Sequence, residues 1–497
     1  MSEVRVGFSG SISFLIGIIR IFLGLAYITI ITRTLSPEEF GNWQLILGLI
    51  GYVTIIHTIE TFWSTREVAR ERYSTTSTIF SGGIFSGSAI VIYLLIITFV
   101  ASEADVNSEA LLVALILVPT TWFFNIFAAI NNGWKPQNYN YGLIASDIIK
   151  LSTIIIFLQI FGMGIFGVIF SAALGNLIGI IFLLYLFRRK IAWNFDITYF
   201  WKRIKLSWLS LYAPAIAIIF NLDIIIFTLI IGNTEGLGYY GAILVIASIP
   251  MYAELIFSGV YPKLLGSKDK SFLGNALSRM LYILFPLTTM TIVFGYAGLH
   301  ILNPVYTIVY PALIFLVLRF LGFTLFSSYL KIVRGLDTVD LDGNTKFKDF
   351  IKSKLFFAPS LQLIHYSLYA IALGIVFAFQ SKSNIEELIL YWTLVSMCLQ
   401  IPFSCSIILM VRKEIKIQVS IIRIIKYLFL SIVVFGIVGF CFNEIVNFDE
   451  SGIIFILKTL GFISLAILIY ILITYFIDSE TKVFVKSVIN EIKSHKK

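Results

Sequence analysis

Arg20, Lys150 and Arg319 each lie inside a long apolar stretch of the chain. A charged side chain at the centre of a bilayer costs about 2.5–3.5 kcal/mol on insertion scales, so it turns towards protein or a water-filled cavity. Cations in such a cavity suit an anionic cargo, and a guanidinium fork matches phosphate oxygens. Arg20 lies about 14 Å along a helix from Ser11, near mid-depth. No acidic residue sits three or four positions from it, so its two readings are cargo binding and a pair with an acid on another helix. Arg319, twelve residues before Lys331, has the same two readings at similar depth. Lys150 has Asp147 three residues earlier on the same helix face, where a local pair competes with cargo contact. Its long stem also lets it snorkel partway to the interface, as Lys458 does near an outer helix end.

Asp223 and Glu254 are the acidic counterparts. A carboxylate within a span can take a proton or help hold a cation, so both are candidates for coupling to a proton or sodium gradient. The alternative for each is a salt bridge, to Arg319 or to a neighbouring helix. His57 and Glu60, three residues apart, form either part of a gate or a local pair. The remaining motifs carry no cofactor chemistry. Cys398, Cys405 and Cys441 match no metal spacing and are expected as buried small hydrophobes. Thr338-Val-Asp340-Leu-Asp342-Gly343, ending at Asp349, approaches a calcium loop but has Thr at its first position and Asp for the bidentate Glu, so a solvated loop is expected. Ser81-Gly-Gly and Phe161-Gly-Met-Gly lack the spacing and the lysine of a phosphate loop.

These residues need elements to position them, and the composition says which. Hydrophobic residues make up 58% of the 497 and charged ones 13%. The apolar residues come in runs of about 20, the length that crosses the hydrocarbon core as a helix. Period-2 alternation, the mark of a membrane β-barrel, is missing. The fold expected is all-α and integral to the membrane, with 14 spans near 11–32, 40–62, 79–101, 109–131, 141–163, 165–187, 207–231, 237–261, 273–297, 301–330, 355–379, 386–411, 422–443 and 452–477. The first is not preceded by a basic n-region and lacks an obvious small-residue cleavage site, so it is read as a retained helix.

Charge sets the orientation. Of 37 Lys and Arg, only Arg33 and Lys382 fall in one set of loops, and four (Arg20, Lys150, Arg319 and Lys458) lie deeper within spans; the rest crowd the other set of loops, its tails and the adjacent helix ends. That asymmetry predicts both termini in the cytoplasm. The net charge of +9 then reflects topology and anionic lipid head groups rather than nucleic acid. The outer loops, such as 33–39, 102–108 and 232–236, are too short to hold the catalytic groups of a membrane glycosyltransferase or polymerase.

A faint repeat divides the chain. Leu35-Ser-Pro-Glu-Glu-Phe-Gly-Asn-Trp, between spans 1 and 2, has a counterpart in Asn233-Thr-Glu-Gly-Leu-Gly-Tyr-Tyr, between spans 7 and 8. Aligning Gly41 with Gly238 gives two parallel units of six spans. The expected domains are a six-helix lobe at 1–190, a cytoplasmic linker at 191–206, a second lobe at 207–411, and an extra helix pair with a tail at 412–497.

Arg33-Thr-Leu-Ser-Pro-Glu-Glu-Phe-Gly41 resembles the R-x-L-x-P-x-E-[FY]-G signature of the polysaccharide transporters, the lipid-linked oligosaccharide flippases of the multidrug/oligosaccharidyl-lipid/polysaccharide exporter superfamily. Thr65-Arg-Glu-Val-Ala-Arg-Glu is similar to that family's R-E-[VI]-A-R element, and Pro214, Asn221-Leu-Asp223 and Gly238-Tyr-Tyr-Gly-Ala242 follow its style. The Asp- and Lys-rich segment 334–355 departs from the bacterial pattern. The resemblance implies two lobes around a hydrated, cationic central cavity in the cell membrane. Through it a polyprenyl phosphate- or pyrophosphate-linked glycan crosses while the lipid tail stays in the bilayer. A multidrug exporter of the same superfamily is the alternative within transport, and a membrane glycosyltransferase the alternative among enzymes.

Overall fold

The computed structural model describes residues 6–69, 75–191, 197–205, 207–257, 260, 264, 270–336, 351, 353–415, 420–448 and 452–483. The calcium-loop-like segment 338–349, and Arg70 and Glu71, lie outside them. Among the described residues every regular element is helical, which closes backbone hydrogen bonds within each segment where hydrocarbon offers no partner.

Each of the fourteen expected stretches falls on helix. By length and apolarity, however, 11 helices suffice to cross a membrane, or up to 13 when each of two bent pairs is taken as one span. The bent pairs are Pro37–Thr54 with His57–Val68, at 59°, and Glu235–Ala247 with Ile249–Phe257, at 42°. They are spans 2 and 8, the ones the repeat aligns. In the first, Thr54 and Thr58 hydroxyls bond back to the carbonyls of Ile50 and Ile55, and the backbone at 55–59 switches to i→i+3 bonds, a side-chain competition that bends helices. In the second, Pro250 removes a backbone donor just past the break. Residues 297–300, between the ninth and tenth expected spans, are part of a short helix, Gly295–Leu302.

The start of Pro37–Thr54 explains the signature that precedes it. The Ser36 side chain accepts from the Glu39 N–H while the Glu39 carboxylate accepts from the Ser36 N–H, with Pro37 in the first turn. That is a capping box closed by a residue whose φ already suits a helix. Gly41 follows because the helix is crossed there. A methyl group at Gly41 would fall on the Thr234 carbonyl, and one at Gly238 on the Pro37 carbonyl. The two repeat-equivalent glycines thus make a reciprocal backbone contact.

The chain forms two compact units. The first comprises Met1–Gly241 and Ala370–Ile385, and the second Ala242–Tyr369 and Glu386–Lys497. In the first, Val6–Thr34 packs on Pro136–Ile155, which packs on Gly164–Phe187. In the second, Tyr282, Tyr427 and Tyr470 cluster where Phe272–Val293 meets Ile421–Ile445 and Gly452–Ile477. Large apolar side chains such as Phe379, Ile422 and Phe476 stand more than four-fifths exposed, as lipid-facing residues do. Cys398, Cys405 and Cys441 are free but exposed, which corrects the expectation of burial: on a spanning helix, lipid accepts a small apolar side chain as readily as a protein core does.

Candidate functional site

Arg20 meets its acid across helices. Its Nε donates to Asp147 Oδ2 at 2.6 Å, with the two side chains 35% and 22% exposed. The Asp147 carboxylate is therefore engaged by a residue 127 positions away rather than by Lys150. Lys150 forms no hydrogen bond or ion pair among the described residues. Its stem lies across Gly175 of the neighbouring helix, where any side chain would collide with Lys150 Cγ. All three charged groups line one cavity of about 480 Å³, together with Tyr27, Thr54, Asn125 and Ser146. Asn176 donates to Thr121 Oγ1 at 3.2 Å on the same wall, and Ser146 Oγ is buried with no partner among the described residues. Two basic side chains face one carboxylate in a cavity whose walls are largely apolar, with Thr54, Thr121, Asn125, Ser146 and Asn176 as its other polar groups, an arrangement suited to an anion.

A second cavity, about 530 Å³, adjoins the first and shares Asn125 with it; His57, Thr61, Arg66 and Tyr139 are among its walls. His57 does not pair with Glu60. Its ring stands edge-on to Trp122, centroids 6.2 Å apart. Glu60 is fully buried against Arg203, one of several cations in the basic connection before the seventh expected span. Arg203 Nη1 donates to Glu60 Oε2 at 2.5 Å, and Nη2 to Glu67 Oε2 at 2.6 Å and to Thr78 Oγ1 at 2.8 Å. The short helix Ile197–Lys205 carries Arg203 into this pocket from the segment expected to be a linker. The usable sign was Glu60 and Glu67, two carboxylates seven apart on one helix face that together require a cation.

Asp223 is buried in the first turn of Leu222–Ile231, where its Oδ1 accepts from the Ile224 N–H at 2.9 Å. A negative charge there also complements the helix dipole. The second unit holds the other two candidates. Arg319 is buried on Tyr310–Gly335, with its guanidinium carbon 4.8 Å from the Phe320 ring centroid. Glu254 accepts from Ser327 Oγ at 2.5 Å and pairs with Lys331 Nζ at 2.6 Å. Lys331, rather than Arg319, is thus its partner. Among the described residues, no group of His, Cys, Asp and Glu could hold a metal ion.

The family model described as polysaccharide biosynthesis protein matches residues 8–265, just over half of the chain. Among solved structures, the lipid II flippase MurJ in an inward closed conformation is 14% identical, covering 93% of this chain and 98% of its own, with a TM-score of 0.66. An inward-facing multidrug resistance MATE family transporter of the MOP superfamily is 11% identical over 81% of this chain and 98% of its own, with a TM-score of 0.56. A MATE transporter in its straight conformation is 13% identical over 82% and 95%, with a TM-score of 0.53. No curated protein matches the chain. At these identities the structural likeness speaks to the fold, and the sequence match speaks to descent. The chain is a multi-pass protein of the cell membrane with the MOP-superfamily fold, and it belongs to the polysaccharide biosynthesis protein family.

Proposed function

We propose that this protein is a flippase that moves a polyprenyl phosphate- or pyrophosphate-linked oligosaccharide across the cell membrane by alternating access, its lobes being 1–190 and 207–411. The observation that carries the reading is the cavity of about 480 Å³ in which Arg20 and Lys150 outnumber Asp147. A phosphate cannot enter hydrocarbon unpaired, and a wall with surplus positive charge substitutes for its hydration. The same surplus disfavours a cationic drug, which sets the multidrug reading second. Arg319 is a further cargo contact in this scheme. Asp223, a carboxylate buried within a span, is the candidate for coupling to a proton or sodium ion; Glu254, the second candidate, is engaged by Lys331 and Ser327.

The test is reconstitution. Proteoliposomes carrying a fluorescent polyprenyl-linked glycan should expose it to an external quencher faster than protein-free liposomes do. The Arg20→Gln, Lys150→Gln double variant should lose most of that rate while melting at a similar temperature. Wild-type proteoliposomes that expose the glycan no faster than empty ones would reject the reading. Transport that survives in the double variant would reject the site.

A further inference from the structure

The short helix Ile197–Lys205 has two faces of different chemistry. Arg203 turns inward, 1% exposed, onto Glu60 and Glu67. Phe200, three residues earlier, stacks on Phe85 with ring centroids 5.7 Å apart. These contacts seat the helix against His57–Ala69 and Thr75–Glu103, the inner ends of two expected spans. Ile197 and Trp201 are four residues apart and so share a side. That side is open: Ile197 is 44% exposed and Trp201 62%. An indole and an isoleucine turned outward together call for an apolar or interfacial neighbour.

Position and charge say what that neighbour is. The chain reaches this helix from Gly164–Phe187, long and apolar enough to cross a membrane, and runs on into Ser207–Phe220, where the seventh expected span begins. A nine-residue helix tethered between two spans stays at the bilayer surface. At the end of the first of them Tyr185 is exposed, with the Arg188 guanidinium carbon 3.9 Å from its ring centroid, an aromatic and a cation together as at head-group level. Residues 188–205 carry six Lys and Arg against one acid, Asp196. Arg188, Arg189, Lys190 and Lys205 are all exposed. A short helix with Trp and Ile on one side and cations around it lies in the interfacial plane and is drawn to anionic lipid. We infer that Ile197–Lys205 is an interfacial helix whose Ile197 and Trp201 enter the adjoining leaflet while the cations around them bind its anionic phospholipids. Through Arg203, on its other face, the leaflet is tied to the inner half of the first bent span. The inference is independent of the flippase reading.

The experiment puts a nitroxide on single cysteines of the full-length protein, with Cys398, Cys405 and Cys441 replaced by serine. The host is a liposome of phosphatidylcholine and phosphatidylglycerol. Power saturation compares collisions with oxygen, which concentrates in lipid, and with a water-soluble nickel chelate. Label at Trp201→Cys should give an oxygen-to-nickel ratio several-fold above that at Lys382→Cys, in an exposed turn. It should approach the ratio at Ile437→Cys, an exposed position midway along Ile421–Ile445. Leaving out phosphatidylglycerol should lower the ratio at Trp201→Cys. A ratio equal to that at Lys382→Cys overturns the inference. So does low access of both reagents, the mark of a second copy or another protein on this face. A ratio indifferent to phosphatidylglycerol overturns the preference for anionic lipid. The unlabelled protein gives a second measurement that survives misfolding of the cysteine variant. Lipids brominated near the head-group end of the acyl chain should quench its tryptophan fluorescence more than that of Trp201→Phe, and equal quenching overturns the inference.

Discussion

Asp147 presents to Arg20 the same pair of oxygens that a phosphate would. The bridge engages only Nε, so both terminal amino groups of Arg20 are without a hydrogen bond among the described residues, and Lys150 stands beside them. In the proposed flippase scheme the carboxylate acts as a stand-in anion that cargo displaces. Asp147→Asn keeps the shape and removes the charge. The interaction is partly screened by solvent, so farnesyl phosphate should bind about tenfold more tightly, ~1.4 kcal/mol, in a titration of the variant. Weaker binding would mean that Asp147 positions Arg20 rather than competing with cargo. A different residue sets a pH dependence outside the membrane span. Burial alone would raise the Asp478 carboxyl, yet the Thr481 N–H and hydroxyl, the Tyr427 hydroxyl and the Lys426 ammonium together hold it below its ordinary value. A carboxyl lowered by folding stabilises the folded state above its unfolded pKa, and that contribution disappears as pH falls through the lowered value. Melting temperature should therefore drop on acidification below the ordinary aspartate range, and less steeply in Asp478→Asn.

At the scale of elements, the contact to test is the one between Ile197–Lys205 and the bent span. Arg203→Gln leaves Glu60 and Glu67 buried without their cation, a change worth about 3–5 kcal/mol. A lowered melting temperature, partly restored by adding Glu60→Gln, would confirm that the helix is held by charge. A Ser36→Ala variant should cost about 1 kcal/mol through the lost cap. Helix positions were legible in the sequence because run length and apolarity decide them in a bilayer. The capping box at Ser36, Pro37 and Glu39 is a local pattern, though the sequence there reads only as a signature and a repeat. The Arg203 contact was not, because its partner lies 143 residues away and Arg203 sits among other cations in a basic connection. For the same reason the sequence offers Lys150 as a local partner for Asp147 and leaves the acid that meets Arg20 unnamed, whereas packing brings Arg20 and Asp147 together. The bend after Thr54 has no proline to announce it, only threonines whose hydroxyls turn back on the helix.

For the whole molecule, the repeat and the charge asymmetry make one further demand. The Gly41 and Gly238 contact joins two helix starts that the sequence aligns, and the carbonyls they meet leave no space for a Cβ. In parallel six-helix units both starts open from the same side of the membrane, the side that carries Arg33 and Lys382 and little other positive charge. Single cysteines test this directly once Cys398, Cys405 and Cys441 are replaced by serine. A membrane-impermeant maleimide added to intact cells should label Lys382→Cys, in the short turn after Lys354–Gln380. It should leave Lys482→Cys, just past Gly452–Ile477, unlabelled until the cells are broken open. Two further helices, Ile385–Glu414 and Ile421–Ile445, and then Gly452–Ile477 separate these positions. Three crossings place them on opposite sides, whereas labelling of both from outside would require one of those helices to lie along the surface instead of crossing, and would break the alternation on which the cytoplasmic assignment of both termini depends.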